Sequence, residues 1–188
     1  SFDFSNYIYH YTAAELAIPT GSTIDSIQFL LAPSNTGLLD LPGNRFILQL
    51  GETAVADLSG FTGDDYGTVM TGVDTVFDDP NYTTTQTTGW VNHTLTSGFT
   101  YSGGNLLLGT DWNNDPANAS ELIDWSINTA TNQALGEAGS SDTYSTAWNI
   151  GSYSNKRPSI RIYYTPPPGL DLAITAQVSP DASLAPIC

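Results

Sequence analysis

Hydrophobic residues alternate with polar ones over short runs along most of this chain. Tyr7–Tyr11 is rich in β-forming residues, and Ile27, Phe29 and Leu31 stand at every second position. Phe46, Leu48 and Leu50 do the same, with polar Gln49 between the last two. Thr75–Phe77, Val91–Leu95, Asn105–Leu108, Ile123–Ile127 and Ser159–Tyr164 continue the series. A period of two buries one face of an extended chain, so each run predicts a strand. Clusters of Gly, Asn, Asp, Pro and Ser separate the runs and supply turns, as in Leu-Pro-Gly-Asn44 and Tyr-Ser-Gly-Gly-Asn105. About eight such strands with polar connections predict an all-β fold, an antiparallel β-sandwich of jelly-roll type. The one good helix signal in the first half is Thr12-Ala-Ala-Glu15, a capping-box pattern with Leu16 behind it. It predicts a single helical turn near residues 12–16, ended by Pro19 and Gly21. Residues 128–146 are rich in Ala, Gly, Ser and Thr and lack a firm period. They read as a long loop, with a helical turn near Asn132–Leu135.

The pattern changes after Thr165. Residues 166–169 are Pro-Pro-Pro-Gly, and Leu172, Ile174, Ala176 and Val178 then alternate with polar or small residues. A stiff proline hinge followed by one strand predicts the start of another domain. The chain therefore reads as an excerpt of a longer, beads-on-a-string protein. Its parts are a β-sandwich module over 1–165, a Pro-rich linker over 166–169, and the first strand of a following domain within 170–188. Cys188 is the sole cysteine. It gives no internal disulfide; it can pair with a residue elsewhere or stay a free thiol.

Charge narrows the partners. Nineteen residues are Asp or Glu and four are Lys or Arg, for a formal net charge of −15. Such a surface repels phosphate backbones and anionic lipid, so nucleic acid is excluded as a partner while divalent cations and neutral sugars are compatible. No apolar stretch is long enough to span a bilayer, so no membrane insertion is expected. With so few bases, cohesion must come from packing and sheet hydrogen bonds rather than surface ion pairs.

Candidate chemistry is sparse. The histidines are His10 and His93, and His93 shares a strand face with Val91 and Leu95, which marks it as a packed structural residue. There is no Gly-x-Ser-x-Gly elbow, no His-Glu-x-x-His and no phosphate-cradling glycine loop. The acids all sit in contexts that read as turn or solvated surface, so no carboxylate pair for glycoside hydrolysis stands out. Asp111, Asn113 and Asp115 place oxygen donors at alternate positions, with Asn118 and Glu121 beyond, a spacing suited to Ca2+. An Asx-rich turn capping its own backbone is the competing reading. Trp112, inside that acidic turn, is the best surface aromatic for stacking a sugar ring, whereas Trp90 leads a strand and reads as structural. Asn81-Tyr-Thr, Asn92-His-Thr and Asn118-Ala-Ser match the N-glycosylation sequon.

Several segments carry a resemblance. Tyr-Thr-Ala-Ala-Glu-Leu16 followed by Gly-Ser-Thr-Ile-Asp-Ser-Ile-Gln-Phe29, then Gly89-Trp90, Phe99-Thr-Tyr-Ser-Gly-Gly-Asn-Leu-Leu-Leu108 and Arg157-Pro-Ser-Ile-Arg-Ile-Tyr163, occur in that order. Together they resemble a β-sandwich domain of large secreted surface proteins of Bacteroidota, over roughly residues 1–165. The tail from Asp171 resembles the first strand of the immunoglobulin-like domains that follow in such proteins. The resemblance implies type IX export and an extracellular place at the cell surface or in the medium. It also implies Asp-Ser/Thr-aliphatic O-glycosylation, matched by Ser26 and Thr75. The expected function is a non-enzymatic structural or adhesive module that spaces and connects domains. Its partners would be neighbouring domains, further copies in an oligomer or filament, and glycans. The alternative is a carbohydrate-binding module of a secreted enzyme.

Overall fold

The alternating runs form strands, and most are longer than their apolar positions alone require. In a computed structural model, residues 4–33, 44–61, 63–83, 88–114, 125–141, 149–150, 152–169 and 176–178 are described. In chain order the elements are β1 (Phe4–Tyr11), α1 (Ala13–Leu16), β2 (Thr23–Leu30), β3 (Asn44–Thr53), α2 (Tyr66–Val69), β4 (Asp74–Asp79), β5 (Trp90–Thr100), β6 (Asn105–Asn114), β7 (Ile127–Thr129), β8 (Leu135–Ser141), β9 (Ser152–Ser154), β10 (Lys156–Pro158), β11 (Ile160–Thr165) and β12 (Ala176–Val178). Six strands make one sheet in the order β4-β3-β6-β1-β8-β9, and four make another in the order β12-β11-β2-β5. β7 and β10 form a two-stranded ribbon. The pairings are antiparallel, and neighbours are often distant in sequence, as β1 with β6 and β2 with β11. The fold is an all-β sandwich, as the alternation predicts.

The inward positions of both sheets meet in one core. Tyr9, Tyr11, Ile24, Ile27, Phe29, Leu48, Leu50, Leu106, Leu108, Ile160 and Ile162 are buried there. Burying side chains of this size stabilises by about 1.5–3 kcal/mol each, which is what a chain poor in ion pairs needs. The six-stranded sheet is also covered on part of its outward face. Ile8 and Leu107 meet Leu58, Tyr66, Val69, Met70 and Ile150 there in a second cluster. Glycine permits this contact. A Cβ at Gly51 would lie 2.4 Å from Val73 Cγ1, so only glycine lets the segment after α2 lie against β3.

The capping box forms as read. Thr12 Oγ1 accepts a hydrogen bond from the Glu15 amide, and the Glu15 carboxylate accepts one from the Thr12 amide. Ala17, at φ 50°, closes α1 in the left-handed region.

Some expectations change. The segment 128–146 is not a long loop: β7 overlaps its start, β8 lies within it, and residues 142–148 fall outside those described. β8 is held between β1 and β9, so pairing on both edges overrides its weak strand propensity. No helical turn forms at Asn132–Leu135, where Ala134 N instead donates to Ser154 O. A 3-10 turn at Leu58–Phe61 and α2 are additional helical pieces in the first half. Asp65 caps α2, but Thr68 occupies the position where a capping box would have Glu or Gln, so the signal was faint. Of the run expected over Ile123–Ile127, residues 123–124 lie outside those described; Trp125 bridges to Leu31 and Ile127 opens β7. Of the tail beyond the linker, only 176–178 are among the described residues, and they pair with β11. Ala176, Gln177 and Val178 lie opposite Ile162, Arg161 and Ile160 as edge strand β12. β12 runs antiparallel to β11.

Candidate functional site

An open depression of about 370 Å³ lies on the outward face of the six-stranded sheet. β3 contributes Arg45, Ile47 and Gln49, β4 contributes Thr75 and Asp78, β6 contributes Asp111, and α2 supplies Tyr66 and Gly67 with Met70 just after it. Strand register builds it: Asp78, Ile47 and Asp111 stand in one row across three strands. Arg45 grips Asp78 with two donors, Nε to Oδ1 at 2.8 Å and Nη2 to Oδ2 at 2.6 Å. Those bonds hold the Asp78 carboxyl below its usual range. Both side chains are well exposed, so the pair is worth about 0–1 kcal/mol. Tyr66 donates its hydroxyl to Gln49 Oε1 at 2.8 Å, which fixes α2 over the sheet.

Two of the sequence candidates meet here. Asp111 and Thr75, singled out for unrelated reasons, both line the depression. Asp111–Asn114, however, is not a turn but the end of β6. In a strand, Asp111 and Asn113 share one face and Trp112 faces the other way. Trp112 accordingly packs toward the core, with ring centroids 5.5 Å from Phe46 and 5.9 Å from Tyr82. Its half-buried ring packs against the core between the sheets. Asp115, Asn118 and Glu121 lie outside the described residues.

For a cation, the described donors amount to the Asp111 carboxylate, Asn113, and Asn6 opposite Asp111 in register. Asn6 is fully buried and its amide makes no hydrogen bond. Calcium takes six to eight oxygens. The Asp78 carboxylate shares the depression with Asp111 and is paired to Arg45. Among the described residues, no three His, Cys, Asp or Glu side chains converge. Of the expected calcium ligands, only Asp111 and Asn113 are among the described residues.

The remaining candidates are dispersed. Ser26 is half-buried on β2, and Thr75 is exposed on β4. Asn81 and Asn92 are exposed; Asn92 donates to Thr94 Oγ1 and accepts from Gln28. Cys188 lies outside the described residues.

The buried polar groups hold elements together. His93 is enclosed by Phe29, Phe46, Phe77 and Tyr82, all with ring centroids within 5.5 Å. Its Nδ1 donates to Ile27 O and its Nε2 accepts from the Tyr82 hydroxyl at 2.8 Å. Burial pushes its pKa down to about 4, so the ring is neutral at pH 7. His10 is fully buried too; its Nε2 donates to Val55 O and burial likewise depresses its pKa.

Arg157 is the partner that sequence reasoning missed. It is 2 % exposed and lies over the Tyr11 ring, 4.2 Å from the centroid. It donates to His10 O, to Asn128 Oδ1 and, through both terminal nitrogens, to the Glu15 carboxylate. Burial pushes the Glu15 pKa upward, but the bonds from Arg157 and Thr12 outweigh it and hold the group below its usual range. The capping glutamate near the start of the module is thus also the counter-ion of a buried arginine near its end.

No known protein family, curated protein or solved structure matches this chain.

Proposed function

We propose that this chain is a non-enzymatic module of a large extracellular surface protein or filament, one that spaces, connects and presents neighbouring domains and supports attachment. The observation that carries this reading is the Arg157 clamp. It ties β10, near the close of the module, to β1 and α1 at its opening, across 142 residues of sequence. The clamp combines an ion pair, buried on the Arg157 side, with a cation–π contact to Tyr11, which suits a module that carries load between its two ends. The buried histidines serve the same end, each bridging separate segments rather than facing the depression. The resemblance of the opening and closing segments to Bacteroidota surface domains supports the extracellular setting and type IX export. Copies that assemble would meet as bodies of like charge, so contacts would avoid the acidic turns.

A single-molecule pulling experiment on tandem copies of residues 1–188 tests the reading. We expect each module to unfold in one abrupt step, and Glu15→Ala to lower the unfolding force. Gradual peeling at low force, with no effect of Glu15→Ala, would contradict a load-bearing role.

A further inference from the structure

The outward face of the four-stranded sheet carries a polar grid with no acid in its centre. Register places Gln28 between Asn92 and Arg161, and Ser26 between Thr94 and Tyr163. Their strand neighbours Ile27, Val91, His93, Ile160 and Ile162 are buried in the core, so the grid residues face solvent. None of them is fully buried.

Arg161 distinguishes this face. The other two arginines are each gripped by a carboxylate, Arg45 by Asp78 and Arg157 by Glu15. Arg161 has no carboxylate partner among the described residues, although the chain holds 19 acids against 4 bases. Its guanidinium instead lies over the Trp90 ring, 4.1 Å from the centroid. Asp25, the acid on β2, is turned to Thr165, whose hydroxyl donates to it at 2.7 Å. An indole-backed guanidinium is held in a plane and keeps donors for a bidentate partner.

Its surroundings are set for hydroxyls. Gln28 Nε2 donates to Asn92 Oδ1, Tyr163 donates its hydroxyl to Gln28 Oε1, and Asn92 Nδ2 donates to Thr94 Oγ1. This chain of bonds fixes amides and hydroxyls in a flat array about 10 Å across three strands. The acids elsewhere are screened beyond about 8 Å at physiological salt. The cation at the centre calls for a carboxylate, and the array around it for sugar hydroxyls.

We propose that this face binds a uronic-acid polysaccharide, with one sugar carboxylate seated on Arg161 and neighbouring hydroxyls on Gln28, Asn92 and Tyr163. The site is separate from the Arg157 clamp, so failure of glycan binding leaves the load-bearing reading standing, and the reverse holds as well.

Isothermal titration of the full chain with an oligogalacturonate and with its methyl ester tests the proposal. The ester keeps the sugar and removes the charge. The free acid should bind at least tenfold more tightly than the ester. Arg161→Gln should weaken binding at least tenfold, while Lys156→Gln, an equal charge change off the grid, should leave it within twofold. Gln28→Glu, which sets a carboxylate beside the guanidinium without removing it, should also abolish binding. Thermal melts establish that each variant is folded; should Arg161→Gln not fold, Gln28→Glu decides. Absence of binding to the free acid, equal binding of the ester, undiminished binding by a folded Arg161→Gln or Gln28→Glu, or an equal loss in Lys156→Gln overturns the proposal.

Discussion

His93 shows how one side chain couples the fold to pH. Its native pKa of about 4 lies below the unfolded value near 6.5. The unfolded chain therefore binds the proton first as pH falls. The stability this ring contributes is complete above about pH 6.5 and is lost on descending toward pH 4, about 3 kcal/mol in all. His10, also depressed by burial, adds loss of the same sign. Chemical denaturation across that window should show stability rising with pH. The double variant His93→Phe with Tyr82→Phe, which removes both ends of the buried bond, should flatten much of that rise; an unchanged slope would mean the ring is not the titrating group. The face of His93 was legible because strand alternation is local. Its partner Tyr82 was not, since it lies in the connection between β4 and β5 with no periodic signal of its own. The same contrast holds for Glu15. Its capping role is written within four residues, whereas its bond to Arg157 depends on tertiary folding.

Elements were legible where residues alternate and obscure where neighbours impose the structure. Leu48 and Leu50 announce β3, but nothing in Leu-Gly-Glu-Ala-Gly-Ser-Ser announces β8, whose conformation comes from pairing with β1 and β9. Asp111–Asn114 misled for a related reason. Asx-rich sequence favours turns in isolation, yet here β1 and β3 pair with both edges of β6 and keep it extended. Of the candidate site, the strand register that sets Asp111 in one row with Ile47 and Asp78, and Gln28 between Asn92 and Arg161, is invisible before pairing is known. Gly51 tests how closely the segment after α2 is seated. Gly51→Ala should cost about 1–3 kcal/mol through overpacking against Val73. Adding Val73→Ala should recover part of that loss. No recovery in the double variant, measured by denaturant midpoint, would show that the two residues do not constrain each other.

At the scale of the molecule, a formal charge of −15 opposes compactness. Raising salt from about 0.01 M to about 0.1 M shortens the screening length from about 30 Å to about 10 Å. The melting temperature should therefore rise over that range; a fall would mean that attractive surface pairs outweigh self-repulsion. What resists this repulsion is the sandwich core and the clamp that joins its opening and closing segments. A double-mutant cycle on Glu15→Ala and Arg157→Met tests that clamp most directly, because the loss of the Thr12 cap is common to both arms and cancels. The account predicts a favourable coupling of about 2 kcal/mol or more between the two side chains in equilibrium unfolding, since removing one partner strands a buried charge. A coupling below about 0.5 kcal/mol, with additive losses, would contradict it.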